Sequence, residues 1–470
     1  MSTKIDERRV KRLNDLEAVS DNDFVLYWMQ QSQRAEHNDA LEFSIQQANQ
    51  FNVPLVVAFA LWEEDPGVNP RQCWFMLEGI QQTANQLSRR GILFVVRLGE
   101  PCSVVLKLAR RACMIVCDRA YLRDPINQRN QIAQDAECQV WQIESNAIVP
   151  VETASEKQEY AARTIRKQIN SLASDLYQSL QTTALENSSL GSSIRGEDIS
   201  RVEDLIKKLN LGFNQQRSRE FIGGTSQAKA RLGSFLSDRL GRYDERTSIN
   251  DPAVSYLSPY LHFGQISPVE VALKVQSKRG QTRESKAGFL EELLVRRELG
   301  INFVHYCPEY DSLNCLPDWA AETLDQHETD DRPHHYTATE LEAAETHDPA
   351  WNAMMTEMKK RGYIHNHLRM YWGKKIIEWT NTVNHAYRTA LALNNQYFID
   401  GHDCNSYCNV AWLFGLHDRA HAEREVFGKV RYMSADGLKR KLDVDGYVAA
   451  IQKQYSEEKL QTNEEEMQTN

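Results

Sequence analysis

Between residues 24 and 143 short apolar runs alternate with stretches of helical periodicity. Phe24-Val25-Leu26-Tyr27-Trp28 reads as a strand, and apolar positions then recur at helical spacing over 41–48. Pro54-Leu55-Val56-Val57-Ala58-Phe59 is apolar throughout, as a strand covered on both faces must be. A helix over 75–87, a strand over 92–96, a helix over 104–110 and strands over 114–116 and 138–141 continue the alternation. Strands separated by helices imply a parallel, doubly wound sheet, so the fold class expected here is α/β. The first strand is not followed by G-x-G-x-x-G, which removes the usual dinucleotide fingerprint. Residues 1–20 are charged and predict a loose or helical arm.

Past residue 180 the pattern changes. Positions 180–225 are polar, with Ser188-Ser189 and Ser192-Ser193 between short helical stretches. From Gly223 onward the periodicity is almost wholly helical, with Pro and Ser marking helix starts, and no internal repeat is evident. The expected organisation is an α/β domain over 20–178, an interdomain linker over 179–225, an all-α domain over 226–455 and a disordered acidic tail over 456–470.

A length of 470 residues exceeds one ordinary core and agrees with two domains, and 41% apolar residues suffice to bury both. No uninterrupted apolar run reaches membrane-spanning length, and Met1-Ser2-Thr3-Lys4 opens a charged segment. The expectation is an intracellular, cytoplasmic protein without a membrane partner. The nine cysteines are scattered; Cys113 with Cys117 and Cys404 with Cys408 stand four apart without zinc-type clusters. They read as reduced thiols used for packing, and no metal is expected. A net charge of −10 argues against a uniformly basic surface, but Lys429, Arg431, Lys439, Arg440 and Lys441 face one acid, Asp436, within 429–441. Acidic residues gather in the tail at Glu457-Glu458 and Glu464-Glu465-Glu466, so a phosphate-binding face remains open.

Four segments carry candidate chemistry. In Ser255-Tyr256-Leu257-Ser258-Pro259-Tyr260-Leu261-His262-Phe263-Gly264, Ser258 before Pro259 suits an N-cap, and the orphan amides of that turn suit a phosphate. A well-capped helix explains it equally, as the capping box Ser267-Pro268-Val269-Glu270 illustrates. Trp372 and Trp379 fall on one helix face two turns apart and, with Trp351, offer closely spaced indoles; core packing is the competing account. Arg369 and Asp400 suit a buried pair beside an aromatic ring, or an ordinary surface pair. Glu292 sits at the edge of the apolar stripe 289, 290, 293 and 294, where its carboxyl can meet a substrate; a solvated helix face suits Glu291 and Glu298 better. Gly428-Lys429-Val430-Arg431-Tyr432-Met433 and Lys439-Arg440-Lys441 mix cations with aromatics, as a phosphodiester beside an unstacked base requires.

In order and spacing these segments resemble the photolyase/cryptochrome superfamily, most closely class II cyclobutane pyrimidine dimer photolyases, from Leu26-Tyr27-Trp28 and Gln33-Arg34-Ala35-Glu36-His37-Asn38 to Lys441. The resemblance implies an antenna-type α/β domain, an all-α domain holding FAD, and a light-driven carbon–carbon lyase. In that family, reduced flavin excited by light passes an electron to a pyrimidine dimer flipped out of UV-damaged DNA. Carried over by position, Tyr243, Ser255, Leu257 and Ser258 hold the FAD phosphates and ribityl chain, Arg369 pairs with Asp400 beside the ring system, and Asn394 faces its N5 edge next to Gly401. Trp351, Trp372 and Trp379 relay electrons from the surface, in an order left open. Glu292, Met370 and Trp412 line the dimer pocket, and Arg419, Arg431, Lys439, Arg440 and Lys441 grip phosphates. The resemblance allows an antenna that is a deazaflavin, a folate or absent, since no residue identifies it, and implies a monomer associated with the nucleoid. Two positions depart from the pattern: His421 stands where the family usually has Trp, and Arg296 where some relatives have Trp. A cryptochrome-like blue-light photoreceptor is the alternative reading, and a flavin-free DNA-binding protein a third; retention of Glu292, Met370 and Trp412 favours repair.

Overall fold

The computed structural model describes residues 4–62, 69–209 and 217–455. The chain divides into two compact units, one of residues 1–241 with 255–308, the other of residues 242–254 with 309–470. Six strands build the sheet of the first unit: β1 (Val10–Arg12), β2 (Phe24–Trp28), β3 (Leu55–Leu61), β4 (Leu93–Leu98), β5 (Ala112–Asp118) and β6 (Gln139–Ile143). Their order is β1-β6-β5-β2-β3-β4. All neighbours run parallel except β1, which pairs antiparallel with β6. Along β2, Phe24, Leu26 and Trp28 enter one buried cluster and Val25 and Tyr27 the other, so the period-two alternation fills a layer on each face. That double burial is why β2 and β3 are apolar throughout. Helices α1 (Asp39–Phe51), α2 (Pro70–Arg89), α3 (Pro101–Ala109) and α4 (Arg123–Asp135) link the strands. Asn38, Asn69 and Glu100 cap the first three through their side chains.

The doubly wound sheet expected from the apolar runs is present, with two elements the pattern did not show. Residues 10–12 form an edge strand inside the expected arm, held by pairing with Ile143, Gln142 and Trp141 rather than by composition. Helix α4 buries only Arg129 and Ile132, too little apolar surface to leave a periodic trace.

Of positions 179–225, read as a connector, the described residues bond to the sheet of their own unit. The Ser189 hydroxyl donates to the Leu55 carbonyl at 2.6 Å and accepts from the Leu93 amide at 2.7 Å. Val202, Leu205 and Phe221 are buried. Serines that read as linker composition here close the polar ends of strands.

Residues 255–308 are helical yet belong with the sheet. Arg34 donates to the Gly264 carbonyl at 2.9 Å, Arg297 to the Asn146 carbonyl at 2.9 Å, and Tyr306 to the Ser155 carbonyl at 2.6 Å. At Gly264 (φ +62°) a Cβ would run into the Gln31 carbonyl, so this close approach requires glycine. Ser267 accepts from the Glu270 amide at 3.4 Å as expected, but Glu270 does not return the bond and turns toward Lys229 at 3.6 Å.

The second unit is helical, with Pro349–Arg361, Asn366–Trp379, Val383–Tyr397 and Cys404–Leu413 as its main elements. Asp348, Thr382 and Asp403 cap three of them. A Cβ on Gly373 would strike Leu413, so this glycine lets two of the helices approach. The nine cysteines are all buried and form no disulfide. Among the described residues no helix is long and apolar enough to cross a membrane. The acidic tail over 456–470 lies outside the described residues.

Candidate functional site

Arg369 sits in the helix Asn366–Trp379, and Asp400 follows the helix Val383–Tyr397 across a short turn. The two are paired: Arg369 Nη2 lies 3.0 Å from Asp400 Oδ1 and donates to Oδ2 at 3.3 Å. The shorter approach is off the hydrogen-bonding direction, which leaves Oδ1 buried without a donor. The guanidinium stands 3.7 Å over the Phe398 ring, a cation–π contact that fixes its plane of approach. Asn394 is buried and donates to Asn395 at 3.0 Å, and the Gly401 amide closes the turn onto the Phe398 carbonyl at 3.0 Å. Tyr243, of the same unit, is buried beneath Arg246, whose Cζ is 5.1 Å from its ring.

The three candidate tryptophans are all buried. Trp351 Nε1 donates to the Trp372 carbonyl at 2.9 Å, and its ring meets Trp379 at 5.8 Å. Trp351 therefore links the other two. Trp372 packs on Phe398 at 6.3 Å, and its own Nε1 is a buried donor with no acceptor among the described residues. Trp379 also meets Tyr336 at 5.6 Å and His347 at 5.1 Å. Tyr336 is half-buried, and its hydroxyl bonds His347 Nδ1 at 2.8 Å.

Trp412, on the last turn of helix Cys404–Leu413, is partly exposed, as is Met370. Arg431 Cζ lies 5.6 Å from the indole, and its fork is taken by Asp418 at 2.8 and 3.0 Å. Burial pushes the Asp418 carboxyl upward, but the Arg431 hydrogen bonds and charge outweigh it and hold the group below the usual carboxylate range. His421 Nε2 stands 3.5 Å from the same carboxylate. Arg419, Lys439, Arg440 and Lys441 are exposed, the last three on the final turn of helix Ala435–Lys441, where cations suit the helix dipole.

Ser255, Leu257, Ser258 and Glu292 belong to the first unit. The cap expected at Ser258 is absent: the helix Ser258–His262 is preceded by Leu257 and has no side-chain cap, because Ser258 is already its first helical residue. Ser255 instead accepts from the Leu257 amide at 3.4 Å. Glu292 is exposed on a π-helical turn, Glu291–Arg296, a geometry that breaks the regular register of side chains. The solvated face expected for Glu291 and Glu298 is not what forms. Arg166 forks Glu291 at 2.7 and 3.0 Å, and Glu298 is buried, accepting the Ile148 and Val149 amides.

Comparison with known proteins identifies the family. The chain is 44% identical over 450 residues to the deoxyribodipyrimidine photo-lyase of Methanothermobacter thermautotrophicus, covering 95% of this chain and 98% of that protein. The chain belongs to the deoxyribodipyrimidine photo-lyase family. A member from Arabidopsis thaliana is 35% identical over 458 residues, with 95% of this chain and 92% of that one covered. The DNA photolyase profile matches residues 25–186. Among solved structures, the cryptochrome of Synechocystis sp. PCC6803 superposes with a TM-score of 0.72 at 16% identity, covering 90% of this chain and 87% of that one, a likeness of fold.

Within this family member the structure adds side chains that motif reading missed. Phe398 lies under Arg369, Tyr336 and His347 lie beside Trp379, and Lys374 lies behind Trp412. The half-exposed Tyr336 between two histidines and a conspicuous His347-Asp348-Pro349 helix start was the one signal available for any of them.

Proposed function

We propose that the protein is a class II photolyase that splits cyclobutane pyrimidine dimers in UV-damaged DNA, using light and FAD, and acts as a monomer. The observation that carries this reading is likeness to a deoxyribodipyrimidine photo-lyase over 98% of that relative's length. The residues suit FAD: among the described residues the buried Asp400 Oδ1, though 3.0 Å from Arg369 Nη2, accepts no hydrogen bond and the buried Trp372 Nε1 has no acceptor, as a flat polar ring system would require of its neighbours. When bound, FAD supplies the photoexcited electron donor for opening the dimer.

The protein's part is placement. Arg369, held by Asp400 and Phe398, is a fixed cation that would hold the flavin together with Asn394 and Gly401. By the family pattern, Tyr243, Ser255, Leu257 and Ser258 would take the diphosphate and ribityl chain. Trp379, Trp351 and Trp372 carry reducing electrons inward in that order, since Trp351 touches both others and Trp379 reaches half-exposed Tyr336. Trp412 and Met370 receive the flipped dimer through apolar contact, and Glu292 binds its carbonyl edge. Arg419, Lys439, Arg440 and Lys441 neutralise backbone phosphates, while Arg431, already forked on Asp418, supports Trp412.

Anaerobic illumination of the reduced protein with dimer-containing oligonucleotides, single-stranded and duplex, tests the assignment. Dimers are expected to disappear in both, in light only. Light-dependent spectral change without dimer loss points to a photoreceptor, and a colourless protein that takes up no FAD sinks the reading. Glu292→Ala is expected to slow repair at least severalfold without releasing flavin; equal rates remove Glu292 from the catalytic set.

A further inference from the structure

Lys374 is fully buried in the helix Asn366–Trp379 and, among the described residues, has no carboxylate within ion-pair distance. Its one hydrogen bond is donated to the Leu413 carbonyl. A buried ammonium with a single neutral partner is unfavourable, so something must hold it there. Burial lowers its pKa to about 7, with Asp418 opposing and Arg431 reinforcing that fall. The carbonyl it binds ends the helix that carries Trp412, and its Nζ lies 5.4 Å from the Trp412 ring centre. Arg431 is 5.6 Å from the same ring and is itself fixed by Asp418. The partly exposed indole is thus flanked by two immobilised basic groups, one buried and one tied to a carboxylate.

We propose that Lys374 is a positioning residue for lesion recognition: anchored on the Leu413 carbonyl, it sets the Trp412 indole against Arg431 so that the exposed part of the ring meets a flat, extrahelical pyrimidine dimer. The proposal rests on the photolyase reading above. A helix C-terminus alone is satisfied by a surface cation, and only a buried one faces the ring from within. Lys374 touches neither cofactor nor DNA in this account. It acts through Trp412 and governs how well damaged DNA is told from undamaged DNA, not whether flavin binds.

Dark binding of full-length, flavin-loaded protein to matched dimer-containing and undamaged duplexes reads this directly. Lys374→Met, similar in length but without charge or donor, is expected to weaken dimer binding about tenfold. Undamaged DNA should bind as before. Lys374→Gln, which still donates to the carbonyl, should recover part of the loss. In a double-mutant cycle, Trp412→Phe should cost much less in the Lys374→Met background than in wild type, because both changes remove the same support. Equal weakening on both duplexes, full dimer affinity in Lys374→Met, or additive losses would overturn the proposal. Should Lys374→Met fail to fold, the cycle with Lys374→Gln decides on the same criterion. A wild type that shows no preference for dimers refutes the photolyase reading instead, so the two failures are told apart.

Discussion

Trp351 meets two demands with one side chain. Its N–H closes on the Trp372 carbonyl, and its ring lies edge-on to Trp379, at 66° between planes. Trp351→Phe keeps an aromatic surface, loses the hydrogen bond and leaves a small void. The expected cost is about 2 kcal/mol, seen as a lower unfolding midpoint in thermal or denaturant melts. On the relay reading the same variant also slows photoreduction of the flavin, whereas a purely structural Trp351 would leave that rate alone once the protein is folded. At this scale the sequence was uneven. Arg369 and Asp400 were legible because an isolated Arg and an acid near aromatic residues have few other uses. Lys374 was not, since Gly373-Lys374-Lys375 reads as two surface lysines. The helix buries both, Lys375 paired with Glu378 and Lys374 wholly inside, and only the structure shows that the Leu413 carbonyl waits for the latter.

The segment 418–433, which carries Arg419 and Arg431, is tied down by contacts distant in sequence. His327 bonds Asp330 through Nδ1 at 2.6 Å and Glu423 through Nε2 at 3.1 Å, and Asp330 in turn accepts the Val426 amide at 2.8 Å. The Asp330 bond first, and Glu423 after it, raise the imidazole above its ordinary value. A raised cationic group stabilises the folded form fully below the ordinary imidazole pKa of about 6.5 and loses that contribution as pH climbs through the raised one. Amide exchange over 423–430, corrected for intrinsic rates, should therefore accelerate from pH 6.5 upward. His327→Gln should show no such change; an unaltered pH response in that variant would remove the latch. Element legibility followed the same physics. β2, β3 and β5 announced themselves because burial on both faces forces apolar runs, while β4 and β6 showed through shorter apolar stretches. β1 and α4 stayed hidden because a partner strand and a polar face, respectively, made them without any local apolar signal.

Across the whole chain, periodicity separated sheet from helices but could not assign residues 255–308, which are helical and yet packed with the sheet. Buried polar contacts such as Glu298 with the Ile148 and Val149 amides span roughly the length of a small domain in sequence and leave no local trace. Burial raises the Glu298 carboxyl from 4.5 to about 8, against Arg297 and the two amides. The folded state then keeps a proton that the unfolded chain releases, so stability falls as pH rises from 4.5 to about 8 and is flat beyond. Glu298→Gln presents the same accepting oxygen without a charge. It should match wild type near pH 5 and exceed it at pH 8, on the order of 2 kcal/mol in denaturant melts; a variant weaker at both would show that the ionised carboxylate is the native form. The antiparallel pairing of Val10, Lys11 and Arg12 has a consequence for handling the protein. Those three residues cover Trp141, Gln142 and Ile143 on the outer side of the strand beneath them. Trimming the chain back to the first long apolar run, a natural choice for anyone shortening it, would uncover a rim able to recruit neighbouring molecules, and clumping rather than unfolding would be the first symptom.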